Sequence, residues 1–125
     1  MPESTQIVVI GGGFGGVYTA QHLCRMLRRA GRLDVEVTLV STENYIVFQP
    51  FLPEVISGAL ETLHIISPIR RIVPRAQLHV REVEAIDLQQ QTVRLAPGLV
   101  PRCPELRYDH LVLAMGTQLS GRLVP

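Results

Sequence analysis

The chain has 125 residues, 46% of them hydrophobic and 18% charged, the make-up of one folded soluble core and not of a disordered segment. Its formal net charge of +1 comes from twelve arginines against eleven acids dispersed along the chain, so no nucleic-acid surface is expected and a small-molecule partner is favoured. Lysine is absent, which excludes Schiff-base catalysis by a lysine and the lysine of a G-x-x-x-x-G-K phosphate loop.

In chain order, Ile7, Val8, Val9 and Ile10 suit a buried strand, and Gly11, Gly13 and Gly16 then fill the pattern G-x-G-x-x-G where that strand should turn into a helix. In a dinucleotide-binding turn the first glycine, Gly11, permits the sharp bend. Gly13 lets the backbone approach a pyrophosphate, and Gly16 lets the helix lie close on the sheet. The unpaired N–H groups at the helix start offer a site for an anion without any basic side chain. Val17, Ala20, Leu23, Cys24, Leu27 and Ala30 recur at three- and four-residue steps and give one apolar helix face, with Gly31 as its stop. Arg25, Arg28, Arg29 and Arg32 cluster at the end of that helix and read as compensation of its dipole on a solvated face.

Residues 35–40 form a second strand, parallel to the first because a helix of this length makes a crossover connection. It returns to the glycine turn at Ser41, Thr42, Glu43 and Asn44. A dinucleotide fold commonly places an acid there, on the ribose hydroxyls. Ser41 holds that position, with a hydroxyl that can accept one bond, and Glu43 follows two residues on. Residues 45–54, with Tyr45, Phe48 and Phe51 among aliphatic residues and prolines, read as a loop too apolar for a free surface: a cover for the core or a wall for a flat cofactor.

Ser67 and Pro68 read as an N-cap with proline at the first helical position, opening a short helix through Ile69, Ile72 and Val73 that stops near Pro74. Beyond them, residues 78–80, 83–86 and 92–95 alternate between turns and suggest an antiparallel meander whose solvated face carries Arg81, Glu82, Glu84 and Asp87. A last strand runs from Leu111 through Ala114 into Met115, Gly116 and Thr117, where small residues admit a close backbone approach.

Cys24 and Cys103 lack C-x-x-C spacing and read as reduced structural thiols. His22, His64, His79 and His110 are scattered and receive no chemical role. No apolar run reaches the ~18 residues of a membrane span, and the glycine turn comes too early for a signal peptide, which points to the cytoplasm.

In this order the motifs resemble, over nearly the whole chain, the flavin-binding half of the pyridine nucleotide-disulfide oxidoreductase superfamily. Residues 37–45 and the string Phe48-Gln49-Pro50-Phe51-Leu52-Pro53-Glu54-Val55 are similar to its type II NADH dehydrogenase branch, as are residues 67–70 and 83–87. Residues 108–117 resemble the family's second flavin motif, normally Ala-Thr-Gly, with Met115 in place of the threonine between Ala114 and Gly116.

The resemblance implies an α/β, Rossmann-like FAD-binding domain with a parallel β-α-β core plus an antiparallel meander, incomplete at its C-terminus. It implies FAD with its pyrophosphate on the turn formed by Gly11, Gly13, Phe14, Gly15 and Gly16, and Ser41 with Thr42 near the adenosine ribose. Val83 would offer backbone groups to adenine, Gln49 and Pro50 would lie against the isoalloxazine, and Ala114, Met115 and Gly116 would approach from the last strand. Disulfide reductases of the superfamily carry an early C-x-x-x-x-C. This chain has none, which implies that electrons pass from NADH through FAD to an external acceptor, a membrane quinone.

The chemistry belongs to the cofactor, so no acid, base, nucleophile or metal ligand is assigned. The resemblance also places an NADH-binding domain and a returning segment beyond Pro125. Residues 1–125 are therefore expected to be the N-terminal portion of a longer FAD/NAD(P)-binding protein, inactive alone. That protein would sit peripherally on the cytoplasmic face of the membrane through its C-terminal part, and a homodimer is compatible with it. Two other readings stay open: a flavin-dependent NAD(P)H reductase with another acceptor, and a non-catalytic nucleotide-binding module.

Overall fold

A computed structural model describes residues 3–98 and 105–117, with the backbone alone at Gln49. The sequence expectation at Cys103 lies outside the described residues. The first half of the chain forms β1 (Thr5–Ile10), α1 (Phe14–Arg29), β2 (Val35–Ser41), β3 (Tyr45–Val47), a 3-10 turn (Gln49–Phe51), α2 (Leu52–Ile56) and a second 3-10 turn (Thr62–His64). The second half adds β4 (Ile66–Pro68), α3 (Ile69–Ile72), β5 (Gln77–Val80), β6 (Val83–Asp87), β7 (Thr92–Leu95), β8 (Glu105–Arg107) and β9 (His110–Leu113).

The central sheet is parallel throughout, in the order β5-β2-β1-β9. Covered on both faces, it needs the near-continuous apolar runs seen in β1 and β2. Successive side chains divide between two cores. Val9, Val37 and Leu39 face α1 and α3 and meet Val17, Ala20, Ile69 and Val73. Val8, Ile10 and Val40 face the three-stranded antiparallel sheet β6-β7-β8 and meet Val93, Leu95 and Tyr108. The β-α-β unit follows the sequence expectation, and α1 ends as its glycine dictates. Gly31 takes φ +66, its N–H donates to the Arg28 carbonyl, and the Arg32 N–H donates to the Leu27 carbonyl, which closes a Schellman motif.

Three expectations are corrected. Residues 78–80 do not belong to a meander: β5 is the outer parallel strand of the central sheet, paired with β2 from Thr38↔Gln77 to Ser41↔Val80. A strand this short carries the same alternation whichever neighbour it meets. The antiparallel part instead consists of β6, β7 and the unanticipated β8. Ser67 and Pro68 do not cap a helix by side chain. They end β4, antiparallel to β3, and α3 begins at Ile69 with extended Pro68 (ψ 131) before it and the Ile69 N–H on the Asn44 carbonyl. Residues 45–54 are no loop, because β3, a 3-10 turn and the start of α2 occupy them. Among the described residues no helix is long and apolar enough to cross a membrane.

Candidate functional site

The C-terminal ends of β1, β2 and β9 open into a cleft of about 770 Å³, within the range of ~300–1,000 Å³ usual for ligand sites. Its floor is the glycine turn. Gly11 has φ +119, and a Cβ there would drive into the carbonyl oxygen of Ala114, so β1 and the end of β9 meet backbone to backbone. A Cβ at Gly16 would strike the Gly11 carbonyl, because the first turn of α1 folds back onto the turn that precedes it. Gly13 differs from both: a Cβ there would meet nothing within 4 Å. Its side-chain space is open, so no contact within the protein calls for glycine there, and the backbone is free for close approach from the cleft.

Gly13 caps α1 with no side-chain hydrogen bond, and no acid stands in the first turn. The first intrahelical bond runs from the Val17 N–H to the Gly13 carbonyl. The N–H groups of Phe14, Gly15 and Gly16 therefore have no protein partner among the described residues, and with the helix dipole they present positive potential to an anion. This start of α1 fits a pyrophosphate.

Ser41 lies beside the cleft but is 4% exposed. Its Oγ donates to the Glu43 carbonyl at 2.7 Å and accepts from the Glu43 N–H at 3.2 Å, so the hydroxyl closes the turn after β2. A Cβ at Gly12 would collide with the Ser41 side chain. Gly12, a residue the motif leaves unspecified, is thus required by a serine twenty-nine positions away. Its only signal in the sequence is a third glycine in an unbroken run. Thr42 and Glu43 are exposed on the rim, where Glu43 and Glu82 are the acids among the lining residues.

Arg81 is corrected: it is half-buried and lines the cleft beside Val83, while Glu82, also in the lining, is solvent-exposed as expected. The Arg81 N–H donates to the Ser41 carbonyl at 2.9 Å, carrying the pairing of β5 with β2 one residue further, and its Nη1 donates to the Ala96 carbonyl at 3.5 Å. The half-buried guanidinium rests on Gly98, where an added Cβ would meet it at 2.7 Å. Burial, with the Arg81 charge acting in the same direction, holds the His79 imidazole below its ordinary value.

Of the residues singled out from sequence, Gly11, Gly13, Phe14, Ser41, Thr42, Val83, Met115 and Gly116 line this one cleft. Gly15 follows in the first helical turn, while Gly16 and Ala114 make the close contacts beneath the floor. Gly116 takes φ +71 with open space at its Cβ position, so its backbone conformation, not crowding, calls for glycine. Gln49 and Pro50 begin the 3-10 turn after Phe48, whose ring meets Phe14 edge-on at 5.8 Å and Phe51 at 4.7 Å, and Pro50 does not line the cleft. An exposed aromatic strip thus runs from the N-terminal end of α1 to that turn.

Residues 5–123 match the family model described as pyridine nucleotide-disulphide oxidoreductase. The chain is 40% identical over 119 residues to the type II NADH:quinone oxidoreductase NdhA of Mycobacterium tuberculosis, covering 92% of this chain and 23% of that protein. It is 32% identical over 130 residues to the mitochondrial external alternative NAD(P)H-ubiquinone oxidoreductase B1 of Solanum tuberosum, covering 95% of this chain and 21% of that protein. Among solved structures, the sulfide:quinone oxidoreductase of Aquifex aeolicus superposes with a TM-score of 0.76 at 28% identity, over 94% of this chain and 26% of that one. The chain therefore spans about a quarter or less of the length of the proteins it matches.

Proposed function

The chain belongs to the pyridine nucleotide-disulphide oxidoreductase family, and from that premise we propose that its cleft holds the adenosine diphosphate half of FAD in a protein that passes electrons from NADH to a membrane quinone. The observation that carries the reading is the open side-chain space at Gly13 next to three unpartnered N–H groups of α1. The diphosphate would accept from Phe14, Gly15 and Gly16, with Gly11 and Gly13 letting the backbone come near. On this proposal Glu43 replaces the usual acid on the ribose, since the Ser41 hydroxyl is already committed to the turn, and Thr42 stands beside it. The Val83 backbone takes the adenine edge, and Ala114, Met115 and Gly116 bound the cleft from β9.

The ring end of the flavin would follow the aromatic strip towards Gln49 and Pro50. Bound flavin would supply the electron transfer itself, and this chain's residues bind it, orient it and exclude water. Residues 1–125 then form the N-terminal portion of the flavin domain. Attachment to the cytoplasmic face of the membrane, and a homodimer, are properties proposed for the protein that contains it.

The test is to purify the gene product that carries this chain, record its absorption spectrum and assay NADH oxidation with a quinone. A flavin band and quinone-dependent oxidation are expected; a colourless folded protein would overturn the proposal. The likeness to a sulfide:quinone oxidoreductase favours a second reading, in which quinone is kept and the donor differs. Replacing NADH by sulfide in the same assay decides between the two.

A further inference from the structure

At the end of α1 remote from the cradle, roughly 24 Å along a helix of 16 residues, α1 packs against α3 and leaves a cleft of about 230 Å³ between α1 and the turn that follows α3. Its floor is apolar, made by Ile72, Val73, Pro74 and Cys24, and its rim carries Arg25, Arg28 and Arg75 with no acid among the lining residues. An adjoining cleft of about 220 Å³ towards the start of β2 shares Cys24, Arg28 and Arg75.

Of the nearby carboxylates, Asp34 is paired, with Arg32 binding both its oxygens at 2.8 Å, while Glu36 lines the adjoining cleft and accepts only from the neutral Gln6 amide, at 2.9 Å. Arg25, Arg28 and Arg75 therefore have no ion-pair partner among the described residues. Compensation of the α1 dipole accounts for Arg28 and Arg29 in its last turn, but not for Arg75, which comes from another element. Three exposed like charges on one rim attract an anion, and guanidinium forks match phosphate oxygens in a bidentate way.

We infer that this cleft is a binding site for a phosphate group carried on an apolar stem, with Arg28 and Arg75 as the clamp, Arg25 on the rim and the apolar floor against the stem. The inference stands on this cleft alone and is independent of the flavin reading. A soluble phosphate ester and the headgroup of an anionic phospholipid share this chemistry.

Cys24 is the built-in reporter. It lines both clefts, burial pushes its thiol up, and the Arg75 charge pulls it back. In the full chain carrying Cys103→Ser, the rate of Cys24 alkylation by a neutral reagent is measured with inorganic phosphate, phenyl phosphate or phosphatidylglycerol vesicles. Chloride at matched ionic strength is the control. The rate should fall roughly tenfold once phenyl phosphate exceeds its dissociation constant by about tenfold, and inorganic phosphate should need higher concentrations.

Protection by vesicles but not by phenyl phosphate would assign the phosphate to a lipid. Arg28→Gln with Arg75→Gln should abolish protection while circular dichroism is unchanged. Protection is read as a ratio within each variant, because loss of Arg75 by itself lowers the thiolate fraction. No protection by any of the three phosphates beyond chloride, or protection retained in the double variant, would overturn the site. Equal protection by inorganic and phenyl phosphate would overturn the role of the apolar floor.

Discussion

The three motif glycines serve different masters, and substitutions separate them. Gly13→Val introduces a side chain into open space, so the chain should fold as before, with affinity for ADP and FAD strongly reduced; calorimetric titration of the variant checks this. Gly16→Val drives a side chain into the Gly11 carbonyl, and backbone cannot yield as a flexible side chain can, so here folding itself should fail, visible as lost cooperative melting. Equal ligand loss with equal stability in the two variants would contradict this division. His79 gives a pH handle. Its folded-state value lies below its ordinary 6.5, so the unfolded chain binds more protons as pH falls through that value. Stability is thus complete above about pH 6.5 and declines on acidification through it towards the lower folded value. His79→Gln should reduce the difference in Tm between pH 7.5 and about pH 5.5, since glutamine does not titrate.

Among the elements, α1 is the one whose ends are built for opposite purposes. Its first turn leaves N–H groups unfilled, while its last turn is closed by the two bonds around Gly31 and by Arg28 and Arg29. Gly31 has φ +66 and nothing near its missing Cβ, so Gly31→Ala suffers only the left-handed backbone penalty, about 1–2 kcal/mol. Thermal melting should show a drop of several degrees with ligand affinity preserved, because the cleft lies at the other end of the helix. The outer strands matter for the site too. β5 delivers Arg81 against Ser41, and the turn after β2 is held by Ser41 and roofed by Gly12, so the rim is assembled from three separate stretches of chain.

At the scale of the molecule, the cleft is lined by the glycine turn, the turn after β2 and residues 81–83, whereas Pro50 lies outside the lining and β9 has a neighbour on one side only among the described residues. On the proposed function, the contacts within this chain serve the part of FAD that ADP also possesses. The 125-residue chain should bind FAD and ADP with affinities within about tenfold of each other, a difference of about 1.4 kcal/mol. It should not oxidise NADH, having one glycine cradle where two nucleotides must bind. Nanomolar FAD binding far tighter than ADP, or steady turnover, would show that the ring end is also held by these residues.

What the sequence determined by itself is local and periodic. The apolar run before Gly11, the three- and four-residue steps of α1, the glycine after its last turn and the apolar β2 together specify β-α-β with a cradle. Each signal lies within a few residues of the structure it dictates. Only the tertiary structure decided which sheet receives β5, that Ser67 and Pro68 pair with Ile46 and Tyr45, with Pro68, not Ser67, at the N-cap of α3, and that Arg81 reaches the cleft. The same is true of Ser41, which chemistry offers to a ribose and the fold commits to its own turn, and of Gly12, whose necessity comes from that serine. A strand of three to five residues has the same alternation in any sheet. A glycine's reason is invisible until the atom that would strike its Cβ has been brought from elsewhere in the chain.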